Sequence, residues 1–164
     1  MTEFKRITNE ISTSSLIESE LKKIFAGVVW PCPDVPEPKM TLESMGETLE
    51  HLYRSSDEVK KFYLPKIMSF VLTEAASSVR DRWLYLLVEF LDVDFYEETP
   101  NSEANLKAVK VTEFSFYTKE QARAILQWLN FVKKNFCRDD FKEELDSAIR
   151  YWKQRAEMNS RTSQ

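Results

Sequence analysis

Residues 118–136 read TKEQARAILQWLNFVKKNF. A threonine followed three residues later by a glutamine, just ahead of an apolar run, is a capping box: each side chain satisfies a backbone N–H of the other residue at the start of a helix. From Ala122 onward, Ile125, Leu126, Leu129, Val132 and Phe136 recur at helical intervals, which lines them along one stripe. Thr118 to Phe136 is therefore predicted as an amphipathic helix, and its period is the standard for reading the rest of the chain.

Downstream, a final helix is predicted from Asp139 or Asp140, with Phe141, Leu145, Ala148, Ile149 and Trp152 on one face. The polar residues 157–164 follow as a flexible tail. Upstream, Ser78 precedes Val79 to Leu91, where Val79, Trp83, Leu86, Leu87, Phe90 and Leu91 are dense enough to predict a helix buried on more than one side. Between these helices, residues 92–112 lose the apolar period and carry Thr99-Pro100-Asn101-Ser102, which predicts a long polar loop, with a brief extended piece at Ala108 to Val111.

The first half repeats the pattern. Ser15 with Glu18 forms a capping box before Ile17, Leu21, Ile24, Phe25 and Val28, with Gly27 near the stop, and residues 1–14 form a polar lead-in. Pro31, Pro33, Pro36 and Pro38 exclude an ordinary helix between Trp30 and Pro38 and predict an extended connector. Thr41 caps a helix carrying Leu42, Met45, Leu49, Leu52 and Tyr53. Ser55 with Glu58 opens another, in which Pro65 predicts a restart: a short helix, then a longer one with Pro65 in its first turn. The sum is an all-α fold, a single-domain bundle of about five to seven helices over 15–156.

Composition agrees with this reading. Apolar residues make up 43% of 164 residues, enough for one core, and the two glycines, Gly27 and Gly46, exclude both a Gly-rich dinucleotide fingerprint and a P-loop. A net charge of −4 offers no general attraction to nucleic acid or anionic lipid. Cys32 and Cys137 stand outside any CxxC spacing, which suits reduced thiols. No apolar leader is visible, and Trp83 to Leu91 is far shorter than the ~20 residues a bilayer demands, so a cytoplasmic location is expected.

Two C-terminal motifs, Phe116-x-Thr118-x-x-Gln121-x-x-Ala124-Ile125-x-x-Trp128-Leu129 and Ala148-Ile149-x-Tyr151-Trp152, resemble the signature of a family of small uncharacterised bacterial proteins catalogued as a domain of unknown function. Ile24 to Val28 leading into Pro31, and Phe62-Tyr63-Leu64-Pro65, extend the resemblance over most of Leu16 to Trp152. It implies a fold and assigns no functional residue.

The chemistry-bearing residues are sparse. His51 is the sole histidine, so a histidine-rich metal site is excluded and a thiol dyad would require Cys137. On an amphipathic helix His51 reads as a surface or boundary residue, and Phe136-Cys137-Arg138 as a core edge. Pro33-x-x-Pro36 formally matches a polyproline ligand but lies between helices, where a rigid connector is the simpler reading. Neither catalytic residues, nor a metal, nor a cofactor is expected. The densest charge cluster is Glu89, Asp92, Asp94, Glu97 and Glu98, with no basic residue between Arg82 and Lys107. Its spacing fails the EF-hand pattern, and it reads either as a solvated helix end or as a docking patch for a basic protein. The leading expectation is a non-enzymatic protein-binding module, in the form of an immunity or inhibitor protein acting through that acidic surface. A small carboxylate- or metal-dependent hydrolase and a structural adaptor that self-associates through a helix face are the alternatives.

Overall fold

The structure is a computed structural model that describes residues 2–34, 36–37, 39, 41, 44, 49, 51–73, 77–93, 114–136 and 138–157, with side chains for all of these except 2–12 and 77–78. It is all-helical, and no strand occurs among the described residues. The elements are α1 (Thr2–Ile24), α2 (Asp57–Thr73), α3 (Ser77–Leu91), α4 (Lys119–Phe136), a 3-10 turn (Asp139–Phe141) and α5 (Lys142–Glu157). Contacts gather in two compact units, Met1–Leu87 and Val88–Gln164. The expected loop over 92–112 lies outside the described residues from 94 onward, as do Ala108 to Val111 and the tail 158–164.

In the first unit, α1 packs on α2. The helix begins at Thr2 rather than at Ser15, so residues 2–14 are helical and Ser15 is an exposed residue within the helix. No proline or glycine occurs before Gly27, so nothing in the chain breaks the helix there. Glu18, freed from capping, instead pairs with Lys22 one turn on, at 2.5 Å. Past Ile24 the chain leaves the helix through turns closed by Phe25 N–H to the Leu21 carbonyl (3.0 Å) and Val28 N–H to the Phe25 carbonyl (3.0 Å). Gly27 lies in open space and does not adopt positive φ.

The described residues of the proline-rich connector are non-helical, and its head is held by Trp30, whose ring lies 5.3 Å from Phe62 and 5.6 Å from Tyr63. Thr41 makes the hydrogen bonds of a cap with Ser44, while Leu42 and Met45 of the helix expected after it lie outside the described residues. The Thr41 hydroxyl accepts from Ser44 N–H at 3.2 Å while Ser44 Oγ accepts from Thr41 N–H at 2.9 Å, a box in which serine takes the place of glutamate. Residues 51–54 are helical, and Leu49 and Leu52 are buried.

Two local expectations are corrected in α2. Ser56, not Ser55, is the cap, accepting from Val59 N–H at 3.4 Å, while Ser55 Oγ donates back to the His51 carbonyl at 2.7 Å and closes the preceding turn. Pro65 does not restart the helix: Asp57–Thr73 is continuous, with Pro65 inside it. Proline removes one rung of the ladder and crowds the turn before it. Burial of Phe62, Tyr63, Leu64, Ile67, Met68, Val71 and Leu72 outweighs that cost, since each such side chain contributes about 1.5–3 kcal/mol. Arg80, in the first turn of α3, donates from Nε to the Val71 carbonyl at 3.2 Å and ties α3 to the end of α2.

In the second unit α4 and α5 pack along their length. The capping box is realised on both sides: Thr118 N–H donates to Gln121 Oε1 at 3.1 Å, and Gln121 N–H to Thr118 Oγ1 at 3.2 Å. Ile125, Trp128, Leu129 and Val132 from α4, with Leu145, Ala148 and Trp152 from α5, lose all contact with water. Phe114 enters the turn before α4 at φ 54°, a conformation a bulky side chain adopts at a cost of order 1–3 kcal/mol. Two things offset it: its ring is buried against Phe90, Tyr151 and Trp152, and Arg155 Nη2 donates to the carbonyls of Phe114 (3.4 Å), Ser115 (3.1 Å) and Tyr117 (3.2 Å).

Two stability measurements check this packing. Arg155→Met keeps the alkyl contacts but removes the staple, and urea denaturation is expected to record a loss of about 1–3 kcal/mol. Gly27→Ala meets no neighbour and no positive φ, so its unfolding free energy is expected to stay level or rise by ~0.4–1 kcal/mol through the unfolded chain.

Candidate functional site

The acidic stretch is divided by the fold. Glu89 occupies the last turn of α3 and is half-buried. Asp92 follows that helix and is 5% exposed, its N–H donating to the Val88 carbonyl at 2.9 Å and the Glu89 carbonyl at 3.2 Å. Asp94, Glu97 and Glu98 lie outside the described residues. Burial holds the Glu89 carboxyl above its ordinary value, and the negative charge of Glu144 pushes it the same way. Among the described residues no three histidine, cysteine or acidic side chains gather as a metal-holding set.

The remaining sequence candidates are scattered. His51 is exposed, and its carbonyl accepts from Ser55. Cys32 is a free, half-buried thiol, and Cys137 lies outside the described residues. Trp128 and Trp152 are core residues, Trp83 is 8% exposed, and Trp30 anchors the connector. Pro33 and Pro36 are exposed on that connector, whose Glu37 pairs with Lys66 of α2.

What the sequence did not signal is a groove of about 430 Å³ between α1 and α2. Its floor is apolar: Leu21 from α1, Phe25 from the turn that follows it, and Phe62 and Pro65 from α2, all buried. Val28 and Phe70, half-buried, stand at its lips. The rim carries Glu18 and Lys22 on one bank and Lys66, Ser69 and Thr73 on the other. Lys66 Nζ lies 3.8 Å above the centre of the Phe62 ring, placing an ammonium at the edge of the floor. The nearest perturbed group is Tyr63, whose phenol is pushed up by burial first, then by Glu37 and Cys32. That raises its hold on its proton and makes it a poorer acid at neutral pH. The groove has the volume of a ligand site, ~300–1,000 Å³, and an apolar floor.

No protein-family model, curated protein or solved structure matches this chain. Among the described residues no helix is long and apolar enough to cross a membrane.

The pH behaviour of Glu89 follows from the direction of its shift. A carboxyl that binds its proton more tightly when folded favours folding below its unfolded value, near 4.5, and that contribution is lost as pH rises through the folded value. Glu89→Gln is therefore expected to raise the free energy of unfolding in urea at pH 7, by less than about 1 kcal/mol because the half-buried group keeps part of its hydration, and to leave it unchanged at pH 3.5. Denaturation at the two pH values checks it.

Proposed function

We propose that this chain is a non-enzymatic protein-binding module that receives an apolar segment of a partner protein in the groove between α1 and α2. The observation that supports the reading is the groove of about 430 Å³, whose floor of Leu21, Phe25, Phe62 and Pro65 is apolar and whose lips, Val28 and Phe70, are half-buried. Contiguous apolar surface rimmed by polar groups is a feature of interaction sites. The ionisable groups around it are paired, Lys22 with Glu18 and Lys66 with Glu37.

An immunity or inhibitor protein is one form such a module takes. In this proposal its docking site is the groove; of the acidic stretch Glu89 to Glu98, Glu89 is half-buried, Asp92 is buried, and Asp94, Glu97 and Glu98 lie outside the described residues. A cytoplasmic setting, where a thiol such as Cys32 stays reduced, belongs to the same proposal.

A photo-crosslinking residue at Thr73, on the groove, and at Gln127, exposed on α4, tests the reading in lysate of the source cells. The expected result is a discrete adduct from Thr73 alone, lost when Ser69→Trp fills the channel. Identical adducts from both positions, or an adduct indifferent to Ser69→Trp, would refute it.

A further inference from the structure

We draw no further inference here: the strongest candidate, the apolar groove between α1 and α2 floored by Leu21, Phe25, Phe62 and Pro65, belongs to the site already described, and nothing in the structure shows what covers it.

Discussion

Trp152 lies wholly out of water on α5, and its indole N–H donates to the Leu91 carbonyl at 3.1 Å. The last four carbonyls of any helix lack partners within it, and one that is buried unsatisfied costs about 1–3 kcal/mol. Leu91 is the final residue of α3 and is itself fully buried, so this bond supplies what water cannot reach. It also fixes where the ring stands. Phe114 stacks on that ring at 5.2 Å, which positions the strained turn that Arg155 staples, and the turn delivers Thr118 to the start of α4. One donated proton thus links the end of α3, through the turn, to the helix pair of the second unit.

The consequence for function is a contrast between the two units. Around Trp152 and Trp128 the apolar stripes of α4 and α5 fill one another, and the surface pair Lys133 to Asp146, at 2.6 Å, adds only peripheral support. In the first unit α1 and α2 leave a groove between them, floored by the buried Leu21, Phe25, Phe62 and Pro65 and lipped by the half-buried Val28 and Phe70.

Much of the fold was legible in the sequence because helical structure is written in local signals. The Thr118–Gln121 box forms as read, Ile125, Leu129 and Val132 are buried as their spacing implies, and Thr41 exchanges hydrogen bonds with Ser44. The failures have physical causes. Ser15 matches a capping box, but a box begins a helix only where the preceding chain is not already helical. Ser55 and Ser56 are neighbours, and the choice between them turns on which hydroxyl the previous turn claims. Pro65 breaks a helix in water, where nothing compensates the lost bond, yet not where seven buried apolar side chains hold both halves in line. The groove was invisible for a deeper reason: periodicity tells which side of Leu21, Phe25 and Phe62 is apolar, and it carries no information on whether another helix reaches it. Asp92 is the reverse case, a carboxylate that composition assigns to the surface and the fold buries.

The most direct measurement is the exchange of the Trp152 indole N–H with deuterium, followed in ¹H–¹⁵N spectra beside the amides of Ile125 and Leu129. If this bond closes the second unit, the indole proton exchanges only when the unit opens as a whole and is as protected as those core amides. Exchange within minutes while Ile125 and Leu129 stay protected would show that α4 and α5 pack without it, and the second unit would not depend on the Trp152–Leu91 bond at all.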